Sequence, residues 1–199
     1  MPQALPEGIP LETWIQRTDM LNNASTLSSH ALSAIASWSN VEHQMLRLFV
    51  SLMGGRESAA AAVYSNLSSQ STKSAAVSVA AEIWLVDRPD ELKYLRAILK
   101  WARAQEKFRN KLAHWVWAQA KELPDALVLI DPREGQGLLM KDAALVFRVN
   151  DFIGFVDENI RLSRCCIDLA HAASTTTENR NRRETWSRLT DSADLPKWM

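Results

Sequence analysis

The densest run of side chains able to do chemistry lies between Phe108 and Trp115, where Arg109, Asn110, Lys111 and His114 fall within six residues. Arginine carries a permanent charge and a forked set of donors that suits a phosphate. An unperturbed imidazole gives or takes a proton near neutral pH. If the segment is helical, Asn110 and His114 stand four residues apart on one face. Arg109 is turned about 100° from Asn110 at 3.6 residues per turn, yet its side chain is long enough to swing to the same edge. The three heads then converge on one small anion, with phosphate the obvious choice. Asparagine in a helix interior carries a mild propensity cost, which favours a special role for Asn110. Ordinary alternatives stand beside these readings. His114 fits the edge of a tryptophan-rich core, bonded to a carbonyl. Arg109 fits an ion pair with Glu106 or with an acid on a neighbouring helix.

Other chemistries are poorly supplied. Glu42 and His43 are adjacent, so on a helix they diverge by about 100° and make poor joint metal ligands. His30 and His171 belong to no ligand set, and no metal is expected. Gly135, Gln136 and Gly137 lack the following Lys and Ser or Thr of a phosphate loop. No nucleophilic serine motif or cysteine–histidine signature stands out, and no cofactor is expected. Cys165 and Cys166 are neighbours, a geometry that seldom closes a disulfide, and they read as reduced residues on a helix.

Helices must position the motif. Leu27, Ala31, Ala34, Trp38, Val41, Met45, Leu48, Phe49 and Leu52 recur at spacings of three and four, the stripe of an amphipathic helix ended by Gly54 and Gly55. Ser39 to Glu42 has the form of a capping box, so a break near Trp38 is expected as one option. A short Ala-rich helix follows over 56–67, then Ser68, Ser69, Ser71 and Thr72 as a loop or a new cap, then a helix over 73–85. Asp87, Arg88 and Pro89 make the clearest helix start. Leu92, Leu95, Ile98, Leu99, Ala102, Phe108, Leu112 and Trp115 carry that helix through the motif toward Pro124, roughly 50 Å at about 1.5 Å per residue. The period then changes. Runs at 126–130 and 144–149, separated by turn chemistry from Asp131 to Gly137, read as an inserted β-hairpin. Asn150 or Asp151 caps a last helix with a stripe of Ile153, Val156, Ile160, Ile167 and Ala170, widened by Phe152, Phe155 and Leu169. Trp101, Trp115 and Trp117 read as core or interface residues, one of them helping to bury a dimer seam.

The fold class is thus mainly α, a bundle of four to six helices with a small hairpin at about 126–149. Residues 1–24 form a lead-in with a short helix, 25–173 the helical domain and 174–199 a polar tail. On this pattern, Arg109, Asn110 and His114 resemble the RNxxxH motif of the HEPN family (higher eukaryotes and prokaryotes nucleotide-binding), whose members are compact helical bundles with the motif on a late helix. The specific match spans about eight residues. The resemblance implies a metal-independent endoribonuclease working as a homodimer, with two motifs facing each other. It gives His114 the role of general acid or base at the ribose 2′-hydroxyl. Arg109 holds the scissile phosphate, Asn110 positions phosphate or histidine, and Glu42 is a supporting acid. It also implies RNA as partner, a toxin or defence setting with an antitoxin or other partner protein, and, as the alternative, a non-catalytic dimerisation or nucleotide-binding module.

Neutral net charge and the absence of a broad basic surface favour the non-catalytic alternative. With 199 residues and 47% hydrophobic residues, the chain can bury a core without staples. Lys plus Arg and Asp plus Glu both number 23, so any nucleic-acid partner must meet a local patch. Arg180, Arg182, Arg183 and Arg188 either touch RNA phosphates or, more simply, form a solvated tail paired with Glu178 and Glu184. The opening residues read as no secretory signal and no run reaches membrane-span length, so a cytoplasmic protein is expected.

Overall fold

A computed structural model of the chain describes residues 2–6, 9, 25–54, 56–118, 120–133 and 144–174. Five helices and four strands lie among them: β1 (Gln3–Ala4), α1 (Ser25–Leu52), α2 (Glu57–Ser65), α3 (Gln70–Trp84), α4 (Pro89–His114), β2 (Val116–Ala118), β3 (Ala126–Ile130), β4 (Ala144–Arg148) and α5 (Val149–Ser174). The protein is mostly helical with one small antiparallel sheet, as expected. Two compact units divide it, Met1–Trp38 with Gln105–Glu158, and Ser39–Ala104 with Asn159–Met199. The short helix expected within the lead-in, most of the hairpin turn and the polar tail fall outside the described residues.

In the first unit the sheet runs β1-β4-β3-β2, every neighbouring pair antiparallel. The expected hairpin is its centre, Val128 opposite Val146. Successive side chains of a strand leave on opposite faces, and here both faces are covered. Leu127, Leu129 and Phe147 pack with Leu27, Ala31 and Ala34 of α1, Leu112 of α4, and Phe152 and Phe155 of α5. Ala126, Val128, Ile130 and Val146 turn the other way, toward Leu5 and Ala118. That burial on both sides is why β3 reads as a continuous apolar run without alternation. Phe147 stands beside two rings, 5.3 Å from Phe108 and 5.8 Å from Phe152, while Phe108 stacks on Phe155 at 4.2 Å.

The motif helix stops earlier than its stripe suggests. α4 ends at His114, and Val116 and Trp117, good strand formers, pair with Ile130 and Leu129. The Trp117 indole donates to the Leu112 carbonyl at 2.8 Å, which satisfies one of the helix's last acceptors. α1 is unbroken through Trp38. Ser39 and Glu42 therefore stand in a helix interior and not at a capping box, and the Asn40 side chain bonds to Ser163 and Gln44, each at 3.4 Å. α5 starts at Val149, and Asp151 caps by reaching back: its carboxylate accepts the Arg148 backbone N–H at 2.9 Å. The α5 stripe is also rotated from expectation. Phe152, Phe155, Leu162, Cys166, Leu169 and Ala173 are buried, whereas Ile153 and Ile160 are exposed.

In the second unit, Gly54 ends α1 at φ 68°, the left-handed conformation that glycine adopts without strain. A Cβ there would meet the Trp84 ring at 3.1 Å. Trp84 donates to the Ala173 carbonyl at 3.0 Å, and Arg88 to that of Ala172 at 3.3 Å. Cys165 and Cys166 are buried free thiols, with Cys166 3.6 Å from the Met45 sulfur and its thiol pushed up by burial. Ser69 caps α3, accepting from Thr72 N–H at 3.1 Å while the Thr72 hydroxyl accepts from Ser69 N–H. Ser69→Ala removes this cap from an exposed site and is expected to cost about 1 kcal/mol, read from urea denaturation.

Candidate functional site

The last two turns of α4 set one wall of the site. Lys107, Asn110, Lys111 and His114 repeat at intervals of three, one and three, which places all four on one helix face. The helix is anchored from another side, where Leu112 is buried in the sheet-facing core and Phe108 packs beside it. The sheet supplies the opposite wall through its register. Val116 pairs with Ile130, and one further antiparallel step sets Asp131 across from Trp115. Between these walls lies a cleft of about 410 Å³, which Trp115, Asp131, Pro132 and Arg133 line together with the four helix residues.

Its electrostatics are those of an anion site with one internal counter-charge. Lys107, Lys111 and Arg133 face a single carboxylate, Asp131. That carboxylate is buried and held on both oxygens. Arg133 donates to Oδ1 from its backbone N–H at 3.0 Å and from Nε at 3.2 Å, and to Oδ2 from its terminal nitrogen at 3.0 Å. The Arg133 side-chain bonds, then its backbone bond, hold the Asp131 carboxyl below its usual value, with the Lys111 charge adding a little and desolvation opposing. Lys111 sits 4.9 Å from the centre of the Trp115 ring, within cation–π range. Arg133→Ala is therefore expected to raise the Asp131 pKa toward the ordinary carboxylate range, seen by NMR titration of its carboxyl carbon. A carboxyl depressed in the folded chain stabilises it above the unfolded pKa and loses that contribution as pH falls through the folded one. The variant has less of it to lose, and the loss should be complete at a higher pH than in the parent.

The residues singled out in the sequence divide. Asn110 and His114 both line the cleft, and His114 is exposed. Arg109 is half-buried and is not a lining residue. Its guanidinium donates to the Asn110 Oδ1 at 3.0 Å, in place of the Glu106 pair. Because arginine only donates, Asn110 must turn its carbonyl to Arg109, which leaves its amide N–H groups for a ligand. Glu42 lies half-buried on the part of α1 in the second unit, where its charge helps raise the Tyr64 phenol, behind the larger effect of burial. Trp101 is buried, and Trp115 is a cleft residue. Lys107, Lys111, Asp131 and Arg133 are the additions. The two lysines share the spacing of the motif face. Asp131 and Arg133 read in sequence only as turn chemistry, and strand register is what brings them in. Among the described residues no group of three or more His, Cys, Asp or Glu is placed to hold a metal ion, and no helix is long and apolar enough to cross a membrane. Comparison with known protein families, with curated proteins and with solved structures finds no match to this chain.

Proposed function

We propose that this chain is a metal-independent endoribonuclease of HEPN type, acting as a homodimer. The observation that carries the reading is an exposed imidazole, His114, on one helix face with Lys107, Lys111 and an Asn110 amide oriented by Arg109. The lysines and the amide bind the phosphodiester and offset the charge that develops on it. His114 takes the proton of the 2′-hydroxyl, whose oxygen attacks phosphorus. The bond to the 5′-oxygen breaks, and that oxygen is protonated from an imidazolium or from water. The products are a 2′,3′-cyclic phosphate and a 5′-hydroxyl. A toxin or defence role, with a partner protein restraining the activity, fits such chemistry.

A second reading is a nucleotide- or RNA-binding module of the same ancestry without turnover. The engagement of Arg109 with Asn110, outside the cleft lining, favours it. The test is incubation of purified protein with RNA and with the matching DNA in EDTA. Cyclic-phosphate ends on RNA and intact DNA support the nuclease. Intact RNA, bound with an affinity that falls in Lys107→Ala and Lys111→Ala, supports the module. Neither cutting nor binding overturns both readings.

A further inference from the structure

Two rows of side chains stand next to each other on the second unit. On α3, Val77, Ala80 and Ala81 are buried, as an amphipathic helix requires. The opposite side should be polar, yet Val79, Ile83 and Val86 are 56%, 73% and 71% exposed and recur at i, i+4 and i+7. On α4, exposed Lys93, Arg96, Lys100 and Arg103 recur at intervals of three, four and three, on one face of the helix. No acid stands between Lys93 and Arg103. Residues 85–88 join the two helices, and Glu82 on α3 reaches Arg96 at 3.9 Å, so the apolar row and the basic row are neighbours. The other exposed acids of this helix pair, Asp87 and Asp90, are gathered at its turn.

Single exposed apolar residues are ordinary, but a contiguous line of them marks a contact surface. Like charges one helical turn apart repel and cost a helix stability, and the exposed Glu82 offsets little of that. Both rows therefore gain from an outside partner, and together they define its chemistry. A nucleic-acid strand uses the basic row alone, since Val and Ile offer no ring on which a base can stack. Membrane-surface helices carry Trp, Phe and Leu on their apolar side. The α3 row has none of these, and Glu82 between the rows would meet the anionic headgroups. A helix with an apolar stripe edged by Asp or Glu satisfies both rows at once, its apolar anchors on Val79 and Ile83 and its acids on the cations of α4. The α4 row is about 15 Å long at about 1.5 Å per residue, which matches about three turns of such a helix.

We propose that this face of the second unit docks an acidic amphipathic helix of a partner protein, the apolar row giving affinity and the basic row setting its orientation. The proposal goes beyond the cleft and does not rest on RNA cleavage. Its test is fluorescence anisotropy of the full chain with a labelled helical peptide of about five turns that carries Leu at i, i+4, i+7 and i+11 edged by Glu, beside the same peptide with every Glu replaced by Lys. The Glu peptide should bind at least about tenfold more tightly than the Lys peptide. Ile83→Asp, at an exposed site where folding is not at stake, should weaken the Glu peptide by a similar factor. Lys93→Glu combined with Arg103→Glu should weaken the Glu peptide and tighten the Lys peptide, a reversal that general stickiness does not produce. Absent binding of the Glu peptide, equal binding of the two peptides, or binding indifferent to these variants would each overturn the proposal. So would a single-stranded RNA or anionic phospholipid vesicles held by the wild type and released by Ile83→Asp, because the face would then belong to that ligand.

Discussion

His114→Ala is expected to lower RNA cleavage by about 10²- to 10⁴-fold, the usual contribution of a positioned general acid or base, with the Tm unmoved. The second half of that expectation makes the first informative. His114 is exposed at the last position of α4, and among the described residues its side chain joins neither core cluster and makes no hydrogen bond. Truncating such a residue changes stability by about 0.5 kcal/mol or less, so lost cleavage reports chemistry and not unfolding. Lys107→Ala and Lys111→Ala should behave differently. Each removes one charge from the phosphate wall, raising KM and flattening the dependence of binding on salt, with kcat less affected. Arg109→Ala tests the orienting bond: the Asn110 amide is released, and kcat falls although Arg109 does not line the cleft. Full cleavage by His114→Ala, with both proteins equally helical, would remove His114 from the mechanism and the nuclease reading with it.

How much of this was legible beforehand depends on the kind of signal. Helices read well where burial is one-sided, as along Val41, Met45, Leu48 and Leu52 of α1. Turn and cap chemistry read well at Gly54, Ser69 and Pro89, because glycine, serine and proline act through local backbone physics. Reading failed where a distant pairing decides the outcome. Trp115 fits the spacing of α4, but Val116 and Trp117 are drawn into the sheet by Ile130 and Leu129, partners no local window contains. The same pairing delivers Asp131 and Arg133 to the motif, so half of the cleft was invisible from the motif alone. On α5, residue type misled: Ile153 and Ile160 look like core yet are exposed, while Asn159 and Ser163 are buried beside Leu162 and Cys166.

That contrast sets up the largest stability effect. Phe147→Ala is expected to cost about 3–5 kcal/mol, against about 0.5 kcal/mol or less for Ile153→Ala in the same unit. Phe147 is fully buried on β4, with Phe108 edge-on to it and the Phe152 ring nearly parallel. Its loss leaves a cavity bounded by a paired strand and two helices, and a strand hydrogen-bonded on both sides has little freedom to collapse into it. Ile153 is 42% exposed, so its truncation opens no void. A domain of this size is stable by about 5–15 kcal/mol, so Phe147→Ala takes away a large share of the whole. Urea denaturation should show its midpoint falling steeply with the slope unchanged, and near-ultraviolet aromatic signal and helicity should be lost together. The loss should also reach the cleft, because Phe108 is held by Phe147 and lies one residue before Arg109. RNA binding should therefore weaken at urea concentrations where the parent is still fully folded. A cost below about 1 kcal/mol, outside the 3–5 kcal/mol range for such truncations, would mean that Phe147 is not the centre of this core, and that the sheet does not fix the end of α4 in the way the cleft requires.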